Sequence, residues 1–126
     1  EELQPLAEVV DFISLHTYPA WQGSKIEDAL DVAIKNFNQV QNMYPNKYCI
    51  ITETGWPTKS HGAKINIEDA TIKNQLIYNE QITKWAKENN TLVYLFEAFD
   101  EPWKGEQNAD EPEKNWGIYF VNRLRK

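Results

Sequence analysis

Three short apolar runs rich in β-branched and aromatic residues, separated by two long stretches of helical spacing, leave this chain few folds to adopt. Val9 to Tyr18 (VVDFISLHTY), Tyr48 to Thr54 (YCIITET) and Thr91 to Phe99 (TLVYLFEAF) each read as a strand. After the first run, Ser24 with Glu27 three residues on has the form of a capping box. Ile26, Ala29, Leu30, Ala33, Ile34, Phe37 and Val40 then keep the spacing of one helical face until Pro45 closes the element. After the second run, Asn66 with Asp69 opens a helical pattern reaching about Asn89. Its apolar face uses Ala70, Ile77, Trp85 and Ala86, with Leu76 and Ile82 beside it. A polar loop from Asp100 to Asn115 follows the third run, and Trp116 to Leu124 leaves room for a last helical turn. Strand-helix-strand alternation implies parallel strands joined by right-handed crossovers, so the fold class is α/β.

Each strand runs into a loop carrying Trp, Glu, His and Pro, whereas the helix-to-strand turns are plain. Functional side chains at the C-terminal ends of parallel strands are what a (β/α)8 barrel predicts. A doubly wound open sheet also puts ligands there, but no glycine-rich phosphate loop follows any of the three runs. A whole barrel needs eight strands and about 250 residues. With 126 residues and three strand-helix units, the chain reads as a partial (β/α)8 TIM barrel, a single incomplete domain over residues 1–126. Open strand edges invite pairing, so the expected partners include a second copy of the chain, as a homo-oligomer, or the complementary part of the barrel.

A formal net charge of -6 argues against nucleic acid or another polyanion as partner. No apolar run approaches the ~18 residues of a membrane span. The opening residues EELQPLAEVVDF lack the basic and apolar regions of a signal peptide, so a targeting segment is expected upstream if the parent protein is secreted. Five Trp, six Tyr and five Phe suit either a packed core or the apolar faces of sugar rings. Cys49, alone and inside an apolar run, reads as a buried strand cysteine. No HExxH and no paired Cys-His spacing occurs, so no protein-bound metal is expected. Asn89-Asn90-Thr91 matches a glycosylation sequon, which at a helix end reads as chance.

Side-chain alternation along a strand puts Phe12, Ser14, His16 and Tyr18 on one face, with Ile13, Leu15 and Thr17 on the other. By the same rule Cys49, Ile51 and Glu53 lie together, as do Glu97, Phe99 and Glu101. A histidine, a tyrosine and three carboxylates thus converge on one rim. Isolated acids at loop ends are usually just solvated, but three at equivalent strand ends favour a site.

Ile51-Thr52-Glu53-Thr54-Gly55-Trp56-Pro57-Thr58 resembles the nucleophile motif of glycoside hydrolase family 17, the β-1,3-glucanases and their bacterial relatives. Asp11 to Pro19 (DFISLHTYP) resembles that family's strand six, and Leu95 to Lys104 (LFEAFDEPWK) resembles strand eight of bacterial members. The resemblance runs from about residue 9 to 119. It implies Glu53 as catalytic nucleophile on strand seven, and Glu101 and Lys104 near it. It implies Glu113, three residues before Trp116-Gly117, as a further family glutamate. His16, Tyr18, Trp56, Glu97, Phe99, Glu101, Lys104 and Glu113 become candidate substrate-binding residues. A β-glucan substrate, no cofactor and an extracellular or periplasmic setting for the parent protein follow from it. Hydrolysis or transglycosylation through a glucosyl-enzyme intermediate, or a non-catalytic glucan-binding role, remain open.

The family's acid/base is a glutamate in an Asn-Glu pair on strand four. The pair present here, Asn79-Glu80, falls mid-helix. Retaining hydrolysis needs two carboxyl groups about 5–5.5 Å apart, so this chain offers the attacking group without its matched acid, unless Glu97 or Glu101 stands in.

Overall fold

The computed structural model describes residues 3–126. Its sheet has three parallel strands in the order β1-β2-β3: β1 is Phe12–His16, β2 is Tyr48–Thr54 and β3 is Val93–Leu95. The long crossover helices are α2, Ile26–Met43, and α3, Ile72–Glu88. A short helix α1, Gln4–Val9, precedes β1. Val9 and Val10 are therefore not strand residues, as the sequence suggested. Pro5 suits the first helical turn, and Lys47 Nζ donates to the carbonyls of Glu8 and Val10 at 3.2 and 2.7 Å. Those bonds satisfy acceptors that the end of a helix leaves open.

Strand β1 also stops two residues early. Thr17 N donates to Glu53 O at 3.0 Å, and Pro19 starts a 3-10 turn, Pro19–Gln22, that closes at Gly23 with φ of 74°. Helix α2 begins at Ile26 on Lys25, with no side-chain cap, so the Ser24-Glu27 box does not form. Ser24 N instead bonds Pro19 O within the preceding turn. Ile26, Ala29, Ala33 and Phe37 are buried as the spacing required, with Leu30 and Val40 packed at the margin of the core.

Helix α3 starts later than expected. Asn66 and Asp69 bond each other in a turn before it, and Thr71 is the true cap, accepting from Asn74 N at 3.1 Å. The buried face of α3 is Gln75, Tyr78, Ile82 and Ala86, while Leu76 is 43% exposed. Strand β3 ends at Leu95, four residues short of the expected Phe99. Beyond it the Phe96–Glu97 peptide is cis, and residues 97–100 pair with the C-terminal segment. Glu97 N donates to Trp116 O, Ile118 N to Glu97 O, Tyr119 N to Ala98 O and Asp100 N to Tyr119 O. The C-terminal residues are thus extended and bridged, Phe99 to Tyr119 and Tyr119 to Arg125, rather than helical.

Register pairs Ile13 with Cys49 and Leu15 with Ile51. These four side chains join Ala29, Ala33, Phe37, Tyr78 and Ile82 in one core between sheet and helices. The other sheet face, carrying Phe12, Tyr48 and Tyr94, is about half exposed.

Candidate active site

Strand β2 delivers Glu53 to the rim through an irregularity. Leu15 pairs with Ile51, but His16 pairs with Glu53, so Thr52 is the extra residue on β2. An inserted residue re-aims the side chain that follows. Cys49 and Ile51 face the helices with no exposure, whereas Glu53 meets His16. Strict alternation, which grouped Cys49, Ile51 and Glu53, fails at this point. Glu53 Oε2 accepts from Tyr18 Oη at 2.6 Å and lies 3.2 Å from His16 Nδ1. The carboxylate is about one-third exposed and His16 about half.

Tyr18 stands edge-on to Trp116, with ring centroids 5.2 Å apart, and to Phe96 at 5.8 Å. Its hydroxyl is pushed far above the usual tyrosine range. Burial is the largest cause, followed by the hydrogen bond to Glu53 and the charges of Glu53, Glu113 and Glu97. Tyr18 therefore stays protonated and remains a donor to Glu53. Of these three carboxylates Glu53 is the one bonded to the phenol, while Glu97 and Glu113 act on it through their charge.

Glu97 and Glu101 share Lys104. Lys104 Nζ is 3.2 Å from Glu97 Oε2 and also contacts Glu101 Oε2. Burial, then the neighbouring Glu101 carboxyl, pushes Glu97 up to about 7. Glu101 is held below the ordinary carboxylate range, first by its hydrogen bond to Lys104 and then by that to Glu97. Burial pulls Lys104 down, but its bonds to the two glutamates outweigh it and raise the ammonium. Lys104 also lies over the Phe96 ring at 4.8 Å.

Two residues expected to bind substrate are placed otherwise. Trp56 is fully buried, 5.8 Å from the Tyr78 ring, with Nε1 donating to Asp69 O at 2.8 Å. Its face is covered by α3 and cannot stack on a ligand. Phe99 lies beyond the end of β3, against Tyr119 at 5.7 Å, so it shares no strand face with Glu97. Glu113 sits in a 3-10 turn, Pro112–Lys114, and lines a neighbouring pocket with Trp21. Asn79 and Glu80 are mid-helix in α3.

The loops bearing these groups are locked together. A Cβ on Gly55 would fall 2.0 Å from Phe96 O, and one on Gly117 would fall 2.1 Å from Asp100 N, so both close approaches require glycine. Gln75, 1% exposed, donates from Nε2 to Trp56 O, Trp116 O and Gly117 O at 2.8, 3.0 and 3.2 Å. Nothing in local sequence marks Gln75, a polar residue within a helix, as the tie between two loops. Trp21, 5.8 Å from Trp116, also escaped sequence reasoning, because its neighbours lie far along the chain.

Similarity to known proteins decides the family. The model of the BtgE/BtgC glycoside hydrolase domain matches residues 1–117. The chain belongs to that family. A glucan 1,3-beta-glucosidase of Arthroderma benhamiae is 30% identical over 93% of this chain and 41% of its own length. A glycoside hydrolase family 17 β-1,3-glucanosyltransferase from Rhizomucor miehei superposes with a TM-score of 0.84 at 28% identity, covering 96% of this chain and 43% of that one. An active-site mutant of the same enzyme is known in complex with laminaritriose. An endo-laminarinase from Formosa gives a TM-score of 0.81 at 29% identity, covering 96% and 38%. The chain thus spans less than half the length of these relatives, and its three parallel strands with two crossover helices are part of a TIM-barrel fold of the family 17 type.

Proposed function

We propose that this BtgE/BtgC-family chain carries the nucleophile side of a retaining glycoside hydrolase site for β-1,3-glucan. The observation that carries the proposal is Glu53 at the end of β2, with Oε2 held by Tyr18 and adjacent to His16. With Oε2 held, Oε1 is the oxygen presented to the anomeric carbon. Its attack forms a glucosyl ester as the bond to the departing sugar oxygen breaks, and an acid protonates that oxygen. Water then attacks the same carbon, gives up its proton to the same acid/base and frees Glu53, with net retention. The acid/base comes from a barrel strand outside these three, because Glu97 and Glu101 are engaged with Lys104. Glu97, Glu101, Lys104 and Glu113, together with His16, bind sugar hydroxyls around the reacting ring.

The names of the relatives include both hydrolases and a glucanosyltransferase, which supports transfer as the second reading. The two share every step up to the ester and differ in whether water or a sugar hydroxyl resolves it. Azide rescue tests the nucleophile in a complete barrel reconstituted around this chain. Glu53→Gly should abolish turnover of an activated β-glucoside, and added azide should restore it and yield the α-glucosyl azide. A β-configured azide, or turnover that survives the substitution, would overturn the assignment.

A further inference from the structure

A second group of chemically able side chains lies beside the Glu53 site. His61, in the loop between β2 and α3, converges with Glu106 and Glu111 from the loop after β3. One donor atom from each lies within 4.8 Å of the others. They line a pocket of about 360 Å³ together with Trp21, Lys64 and Glu113. We propose that His61, Glu106 and Glu111 bind a divalent transition-metal ion such as Zn²⁺.

The donor set is one imidazole nitrogen and two carboxylates, which suits ions of zinc type. Around a tetrahedral ion with bonds of about 2.0–2.2 Å, neighbouring donors stand roughly 3.3–3.6 Å apart. His61 Nε2 and Glu111 Oε2 already stand 2.8 Å apart, with side chains only 23% and 11% exposed. Glu106 is exposed and free to swing the remaining distance. The pocket brings three carboxylates, Glu106, Glu111 and Glu113, against one ammonium, Lys64, which lies over the Trp21 ring at 5.7 Å. A dication offsets that excess of negative charge. Gly105, with φ of 63°, packs directly against Glu111: a Cβ there would fall 2.6 Å from Glu111 Cγ.

The tautomer of His61 is also defined. Ala63 N donates to His61 Nδ1 at 3.3 Å, which assigns the imidazole proton to Nε2, facing Glu111. An ion takes Nε2 and Glu111 together, and the ring proton moves to Nδ1. Nδ1–H then faces Ala63 N–H, so the exposed turn at Ala63 gives up one long hydrogen bond and shifts to separate the two donors. Three protein donors leave a coordination position for water. The bound ion ties the loop that follows the Gly-Trp-Pro turn to the loop that leads into Glu113. The sequence hid this group because His61 and Glu111 are fifty positions apart and follow no short ligand spacing.

Titration calorimetry with Zn²⁺ on the unmodified chain tests the proposal, with Co²⁺ absorption reporting the nitrogen donor. One saturable site of micromolar affinity is expected. His61→Ala and Glu106→Gln should each weaken it by roughly tenfold or more, while Glu53→Gln leaves it unchanged. Should His61→Ala fail to fold, for loss of the Glu111 partner, Glu106→Gln decides, since Glu106 is exposed and its loss spares the fold. The absence of saturable Zn²⁺ binding by the folded chain, or equal affinity in Glu106→Gln, would overturn it.

Discussion

Replacing Gln75 with methionine removes the amide that joins the two loops framing the site while keeping a side chain of similar length. Gln75 Nε2 serves the carbonyls of Trp56, Trp116 and Gly117. After the change Trp116 O keeps a weak donor, Glu97 N at 3.3 Å. Trp56 O and Gly117 O lose the bonds that Gln75 gave them. A buried polar group left without a partner costs about 1–3 kcal/mol, so two give about 2–6 kcal/mol. A domain has only about 5–15 kcal/mol in total. Gln75→Met should therefore shift the urea midpoint strongly downward with an unchanged slope, read by fluorescence of the buried Trp56 and Trp116. A loss below about 0.5 kcal/mol, the size of an ordinary surface change, would show that Gln75 does not tie the loops.

Trp56→Ala should act on stability, costing about 3–5 kcal/mol as large core truncations do; full stability with weakened oligosaccharide binding would return Trp56 to the cleft. Glu97 has a folded value near 7, above its unfolded value, so the folded state binds more protons between the two. Its contribution favours folding at low pH and is lost as pH rises from about 4.5 to about 7. Glu97→Gln should flatten that part of the curve in denaturation across this range; an unchanged slope would refute the shift. Half-exposed Phe12, Tyr48 and Tyr94 and the open edges of β1 and β3 should drive self-association. Sedimentation at micromolar concentration should show it, and a stable monomer would contradict it.

The span of strand β2 was legible in sequence, because Tyr48 to Thr54 is bounded by Pro45-Asn46 and Gly55-Trp56-Pro57 and its apolar positions face a core made of adjacent helices. The buried stripe of α2 was legible for the same reason: 3.6-residue spacing reports which face is covered. Legibility failed wherever distant residues decide. Residues 97–100 pair with 116–119 rather than continuing β3, and no local pattern announces that exchange. The register shift at Thr52 inverted the facing of Glu53, yet the residues drawn to it, Tyr18 and His16, were those at the end of the neighbouring strand. Glu97, Glu101 and Lys104 came together through a loop, not through strand alternation. Trp56 looked like binding surface because the helix covering it lies some twenty residues downstream, in Tyr78.

Mechanism-based labelling of Glu53 tests the central claim most directly. A 2-deoxy-2-fluoro-β-glucosyl fluoride carries a leaving group that needs no acid, so labelling reports the nucleophile independently of the acid/base. In a complete barrel reconstituted around this chain, intact-mass analysis should show one added fluoroglucosyl group, and peptide mapping should place it on Glu53. A label on Glu97, Glu101 or any other residue would contradict the account.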